Sequence, residues 1–188
     1  MLMIEHKLNP TKQFSNIIFL DRDGVININK DNYIKNELEI KIFKEAVRGL
    51  ELLYKNNIGV VLITNQQVIG KKTISIGEGI DIHLKIVNSD LIRENPIIAS
   101  FICPHLASEN CDCRKPRTKM IKSAIKLYDI DWKNSFFVGD SLSDIQVSKN
   151  AGIEPILLST NNKEKNIHVF SNLFEAAKYI CKELNNKI

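Results

Sequence analysis

No stretch of the chain is long and apolar enough to cross a bilayer: runs such as Ile58 to Ile63 fall far short of the roughly 18 residues a spanning helix needs. The opening Met1-Leu2-Met3-Ile4-Glu5-His6-Lys7 lacks the basic start, sustained apolar core and small-residue cleavage site of a secretory signal, so a cytoplasmic protein is expected. Aromatic residues make up only 7% of the chain and no basic stripe is interleaved with them, which removes the usual stacking platform for nucleic acid. Charge of one sign is also scarce. The excess of 26 Lys and Arg over 22 Asp and Glu is +4, which suits small anionic ligands and is too weak by itself to imply a nucleic-acid partner. Of only four cysteines, three crowd between 103 and 113 beside His105, a pattern that in a reducing compartment favours metal binding over disulfides. Internal repeats and low-complexity tracts are missing. What is present, 44% hydrophobic and 26% charged residues over 188 positions, is the composition of a soluble globular protein. One domain spanning residues 1–188 is expected, large enough to bury about 70% of its unfolded surface.

Short apolar runs alternate with stretches of helical period, the sign of a parallel sheet covered by helices. Strands are predicted at Ile17 to Leu20, Gly59 to Ile63, Ile97 to Ile102, Ser135 to Val138, Ile153 to Leu158 and Ile167 to Phe170. Between them, apolar stripes predict helices over Phe43 to Tyr54, Ile76 to Leu91, Met120 to Tyr128, Ser143 to Asn150 and Leu173 to Leu184. His83 falls on the apolar face of the second helix and Cys181 on that of the last; both read as core residues.

In open α/β sheets the ligand lies outside the carboxyl ends of the strands. Those ends carry Asp21-Arg22-Asp23-Gly24, then Thr64-Asn65-Gln66, then Arg114-Lys115-Pro116, then Gly139-Asp140-Ser141-Leu142-Ser143-Asp144. Asp21 and Asp23, two apart on an extended segment, point the same way. Brought beside Asp140, they form a cluster of acids that a cation, Mg2+ above all, must neutralise. Thr64 and Lys115 add a neutral and a positive donor, which together suit the oxygens of a transferring phosphoryl group. Asp144 also reads as a helix cap. Cys103, His105, Cys111 and Cys113 form a Cys3His set suited to closed, tetrahedral Zn2+, although each ligand pair is one residue apart where zinc sites more often use two to four.

With Asp21-Arg22-Asp23-Gly24-Val25-Ile26, Thr64, Lys115 and Gly139-Asp140 with Asp144 in this order, the chain resembles the haloacid dehalogenase-like phosphatases. Phe19 to Asn27, Ile63-Thr64-Asn65-Gln66 and Cys103-Pro104-His105 with Cys111-Asp112-Cys113-Arg114-Lys115-Pro116 resemble its D-glycero-D-manno-heptose-1,7-bisphosphate 7-phosphatase and histidinol-phosphatase branch, over about Ile17 to Gly152. The resemblance implies a three-layer, Rossmann-like parallel α/β sheet without a cap domain and with a zinc-bound loop. Asp21 is then the nucleophile that forms an aspartyl-phosphate, and Asp23 the acid that protonates the leaving alcohol and later activates water. By the same resemblance Mg2+ is held by Asp21, the Asp23 backbone carbonyl and Asp140, with Asp144 as support. Thr64, Asn65, Arg114 and Lys115 bind phosphate or substrate, and Zn2+ is held by Cys103, His105, Cys111 and Cys113.

The branch carries Ser-Gly after Thr-Asn-Gln and a nearby Arg-Gly, where this chain has Gln67-Val68-Ile69-Gly70-Lys71-Lys72. Val68 forfeits easy access to positive φ, and Lys71 cannot reproduce a planar guanidinium fork. The expected activity is removal of the 7-phosphate from the heptose bisphosphate, for surface-polysaccharide precursors, by a monomer whose partner is a small-molecule sugar phosphate rather than nucleic acid or membrane. Histidinol-phosphate hydrolysis, nucleic-acid 3′-phosphatase activity and a silent phosphate-binding module are the alternatives.

Overall fold

The computed structural model describes residues 3–8, 12–161 and 166–186. In chain order its regular elements are β1 (Ile4–Lys7), β2 (Asn16–Leu20), α1 (Lys44–Lys55), β3 (Ile58–Asn65), a four-residue turn of helix α2 (Gln67–Gly70), α3 (Ile76–Val87), β4 (Ile97–Cys103), α4 (Lys119–Tyr128), β5 (Phe136–Gly139), α5 (Leu142–Ala151), β6 (Glu154–Leu158), β7 (His168–Phe170) and α6 (Leu173–Asn185). The strands form one sheet in the order β1-β4-β3-β2-β5-β6-β7, parallel except where β1 pairs antiparallel with β4.

The central strands are apolar on both faces, so each face takes a layer of helices. Ile18, Leu20, Val60, Leu62 and Val138 point to one side, where Leu50 and Leu53 of α1, Ile86 of α3 and Ile180 of α6 cover them. Phe19, Val61, Ile63, Phe101 and Phe137 point to the other, against Met120, Ile121 and Ala124 of α4 and Val147 of α5. The three-layer parallel sheet expected from the alternation is therefore present. The connections around β3 are used up by α1, α2 and α3, which leaves no room for a cap among the described residues.

Three elements differ from expectation, the first being the four-residue α2, which was not predicted. Strand β1 was not predicted: it is four residues long, and its alternation of half-buried Ile4 and His6 with exposed Glu5 and Lys7 is too short to stand out. Helix α3 stops at Val87, with Asn88 after its last residue and Leu91 60% exposed, rather than running on to Leu91.

Chain order reverses across the sheet at β2 and β5: β3 and β4 lie to one side of β2, and β5, β6 and β7 to the other. Such a switch point leaves a crevice at the strands' carboxyl ends. Asp21 and Asp140 follow directly on the two strands that form it.

Candidate active site

The residues after β2, β3, β5 and the β4–α4 loop converge on a cavity of about 210 Å³ lined by Asp21, Asp23, Thr64, Asn65, Arg114, Lys115 and Asp140, with Lys30, Tyr33 and Gln67 among its walls. Backbone bonds lock its floor. The Asp21 N–H donates to the Val138 carbonyl at 2.9 Å, and the Gln66 N–H donates to the Cys103 carbonyl at 2.7 Å, so adjoining strand ends are held in register. Two glycines allow the acids to approach. A side chain at Gly24, whose φ is +81°, would put its Cβ 1.8 Å from Asp140 Oδ2, and one at Gly139 would collide with Asp144.

Lys115 is 4% exposed and carries the cluster's internal positive charge. Its Nζ lies 2.9 Å from Asp21 Oδ1 and 2.6 Å from Asp144 Oδ1. The other Asp144 oxygen accepts from the Ser141 hydroxyl at 2.6 Å and the Ser141 N–H at 3.1 Å. Asp144 is thus both the helix cap and the charge support that its position allows. Carboxylate oxygens of Asp21, Asp140 and Asp144 all lie within 4.8 Å of one another. Burial, opposed by Lys115 and reinforced by Asp144 and Asp23, pushes the Asp21 carboxyl up to about 7. Burial and then Asp144 push Asp140 up to about 6. Against these acids, burial works to lower the Lys115 pKa, but Asp144 and Asp21 outweigh it and the ammonium titrates above its usual range. A buried set of oxygen donors with surplus negative charge fits a hard divalent cation.

Asp23 stands apart from that set. Arg22 donates to its Oδ1 through Nε at 3.1 Å and Nη2 at 2.9 Å, Asn27 Nδ2 donates to Oδ1 at 2.7 Å, and Gln66 Nε2 donates to Oδ2 at 2.6 Å. Burial works to raise its pKa, but the Arg22 charge and these bonds prevail and hold the carboxyl below its usual range. Two acids two residues apart are therefore driven in opposite directions by their surroundings. The Asp23 side chain lies outside the metal-type cluster, which leaves only its backbone carbonyl for the part in Mg2+ binding that the resemblance implied.

The other expected residues are all at the cavity, with differing engagements. Thr64, 1% exposed, accepts at Oγ1 from Gln66 Nε2 at 2.9 Å. Asn65 spends its amide on the backbone of Lys115: Oδ1 accepts from the Lys115 N–H at 3.0 Å and Nδ2 donates to the Lys115 carbonyl at 3.3 Å. It clamps the lysine in place. Arg114 Nη1 reaches the His105 carbonyl at 3.3 Å, which ties the cavity's rim to the cysteine loop. Tyr33, held at φ +59°, accepts at its hydroxyl from Gln67 Nε2 at 2.7 Å and Lys71 Nζ at 2.8 Å. The altered Gln67-to-Lys72 segment thus forms part of the wall. Reading the sequence passed over Arg22 and Gln66, although both lie inside quoted strand-end runs; the available signal was a polar residue next to a buried strand.

Cys103, His105, Cys111 and Cys113 gather on the β4–α4 loop as free thiols around one imidazole. The Sγ atoms are 3.4, 3.6 and 3.7 Å apart, and Cys103 and Cys113 lie 3.4 and 3.2 Å from His105 Nδ1. Tetrahedral zinc, with Zn–S of about 2.3 Å and Zn–N of about 2.0 Å, requires edges of roughly 3.5 to 3.8 Å. Five of the six edges are thus near those of a tetrahedral metal site, and the group can hold one metal ion. Burial raises the Cys103 thiol pKa.

Comparison with known proteins agrees with this geometry. The chain is 31% identical over 180 residues to a D-glycero-beta-D-manno-heptose-1,7-bisphosphate 7-phosphatase of Neisseria meningitidis, covering 89% of this chain and 95% of that protein. The chain belongs to the haloacid dehalogenase-like phosphatase family. A HAD-hydrolase-like family model matches residues 112–186. The D-glycero-alpha-D-manno-heptose-1,7-bisphosphate 7-phosphatase of Campylobacter jejuni is 35% identical over 163 residues, 84% of this chain and 91% of that one. The crystal structure of D,D-heptose 1,7-bisphosphate phosphatase from B. bronchiseptica, complexed with magnesium and phosphate, superposes with a TM-score of 0.79 at 28% identity, covering 89% of this chain and 99% of that one. The chain is accordingly a phosphatase of this family, and among its described residues no helix is long and apolar enough to cross a membrane.

Proposed function

We propose that this phosphatase removes the 7-phosphate of D-glycero-D-manno-heptose 1,7-bisphosphate through an aspartyl-phosphate on Asp21, as a one-domain monomer in the cytoplasm that supplies surface-polysaccharide precursors. The observation that carries the chemistry is the pairing of Asp21 with Lys115 on one wall of a cavity while a second carboxylate, Asp23, is held separately on another. The similarity to heptose-bisphosphate phosphatases along most of the chain supports the substrate.

In the first step an Asp21 oxygen attacks phosphorus, the bond from phosphorus to the sugar oxygen breaks, and the Asp23 carboxyl, which has first taken up a proton against the pull of Arg22, gives that proton to the leaving oxygen. In the second, Asp23 takes a proton from water, the water oxygen attacks phosphorus, and the bond to Asp21 breaks to release inorganic phosphate. Thr64 and Lys115 receive the phosphoryl oxygens, while Asn65 keeps Lys115 aimed. Asp21 and Asp140, with Asp144 alongside, would hold Mg2+ together with the Asp23 carbonyl that the resemblance implies, and the ion would neutralise charge at the site. Cys103, His105, Cys111 and Cys113 would hold Zn2+, which would fix the loop that carries Arg114 and Lys115, and Lys30 and Arg114 on the cavity lining would face the rest of a doubly phosphorylated sugar.

The test is phosphate release by metal-replete protein with Mg2+ from the heptose bisphosphate, histidinol phosphate and a panel of sugar phosphates. Preference for the bisphosphate, with loss at C7 and no turnover by Asp21→Asn, is the expected result. Preference for histidinol phosphate overturns the substrate, and release from none of them overturns the activity.

A further inference from the structure

Arg22 is 1% exposed and stands between the two carboxylates in the chain. A guanidinium taken wholly out of water costs several kcal/mol unless it is paired and hydrogen-bonded. Among the described residues its one ion pair is with Asp23. Nε and Nη2 both donate to Asp23 Oδ1, and Nη2 also lies 3.0 Å from Oδ2. The Arg22 backbone is committed as well: its N–H donates to Asp21 Oδ1 at 2.7 Å and its carbonyl accepts from the N–H groups of Val25, Ile26 and Asn27.

The two oxygens of Asp23 are not equivalent. Oδ1 receives three donors, two from Arg22 and one from Asn27. Oδ2 accepts from Gln66 Nε2 at 2.6 Å and from Arg22 Nη2 at 3.0 Å, and the same Gln66 nitrogen bonds Thr64, which lines the cavity with Asp23. His83 is 1% exposed, its ring nitrogens have no hydrogen-bond partner among the described residues, and it meets the His6 ring edge-on at 6.2 Å. Burial and the Arg22 charge hold His83 down to about 3, so it adds no second cation beside the guanidinium.

We infer that Arg22 is a positioning residue that saturates Asp23 Oδ1 and fixes the carboxyl plane, so that the proton passed to the leaving alcohol and later taken from water is carried at Oδ2. The inference rests on the reading of Asp23 as acid and base. A lysine would preserve the charge but not the two-pronged grip, because an ammonium has no planar fork.

The experiment compares first-turnover rates of metal-replete wild type, Arg22→Gln, Arg22→Lys and Asp23→Asn on two esters. Heptose 1,7-bisphosphate expels an alkoxide that needs a proton; p-nitrophenyl phosphate expels a stabilised phenolate that does not. A displaced or missing proton donor slows only the first ester, whereas a disrupted fold or phosphate pocket slows both. Asp23→Asn and Arg22→Gln are expected to lose ~100- to 1000-fold on the sugar ester while the p-nitrophenol burst falls less than ~10-fold, with Arg22→Lys between them and wild type. If Arg22→Gln does not fold, Arg22→Lys decides by the same ratio. Equal losses on both esters by the Arg22 variants, or no loss on either, overturn the inference while leaving Asp23 in its role. An Asp23→Asn enzyme that fails to distinguish the esters overturns the acid–base reading, and this inference with it.

Discussion

The molecule gathers two sets of ligand-type side chains on neighbouring loops, and they are balanced differently. The acidic set at the ends of β2 and β5 contains its own cation: Lys115 sits between Asp21 and Asp144, so much of the negative charge is already paired. The Cys103, His105, Cys111 and Cys113 set gathers three thiols and one imidazole with spacings near those of a tetrahedral metal site. A cation at the first set serves chemistry at a site the protein has already assembled. At the second a metal would serve assembly itself, since structural zinc sites contribute directly to folding.

That contrast is sharpened most by removing the nucleophile. Asp21→Asn should lower phosphate release by roughly 10⁴-fold or more while leaving the metal content of the cysteine loop unchanged, as read by steady-state kinetics beside metal analysis. The next largest effect concerns protons. Asp21 and Asp140 titrate near 7 and 6 when no metal is bound, so protons compete with Mg2+ below those values. Mg2+ affinity measured by calorimetry should therefore fall by roughly one to two orders of magnitude from pH 7.5 to pH 5.5. The same raised values mean that the metal-free fold gains stability from these two groups at low pH and loses it as pH rises through about 4 to 7, a trend that Mg2+ should cancel.

Asn65 joins the two regions, because it grips the backbone of Lys115 two residues beyond Cys113. Asn65→Ala removes two hydrogen bonds of about 1 kcal/mol each, so kcat/KM should drop by up to about 30-fold with the loop's metal retained. If activity were unchanged, Lys115 would be held by its ion pairs alone. Smallest in activity but clearest in stability, Cys113→Ser should cost at least about 2 kcal/mol and lower Tm by roughly 4 to 8 °C. Chelation of Mg2+ should stop turnover with a much smaller change in melting. Equal melting shifts from loss of either metal would erase the distinction between the two sets.

Most of the sheet was legible because buried parallel strands write themselves as short, continuous β-branched runs, as Ile58 to Ile63 does. Strand β1 was not, since an antiparallel edge of four half-exposed residues leaves no run to see. At the site, residue types at strand ends were enough to anticipate that Asp21, Thr64, Lys115 and Asp140 share one cavity. What each side chain is bound to was not. Asn65 reads as a ligand donor, but its partner is 50 residues away along the chain, a pairing no local pattern encodes. Arg22 had no role assigned from the sequence; its 1% exposure and its ion pair with Asp23 show that it is paired inside the fold. The cysteine loop was legible from composition, and its unusual spacing became interpretable once the four ligand atoms were seen to enclose a common point.

The central claim is that the acidic set, and Asp21 within it, takes the phosphoryl group. Acid quench of the metal-replete protein during turnover of heptose 1,7-bisphosphate, followed by peptide mass spectrometry, tests it directly. The account predicts a phosphoryl group on Asp21, absent from Asp21→Asn and accumulating in Asp23→Asn under p-nitrophenyl phosphate. Phosphate release at full rate with no label on Asp21, or with label on another residue, would contradict it.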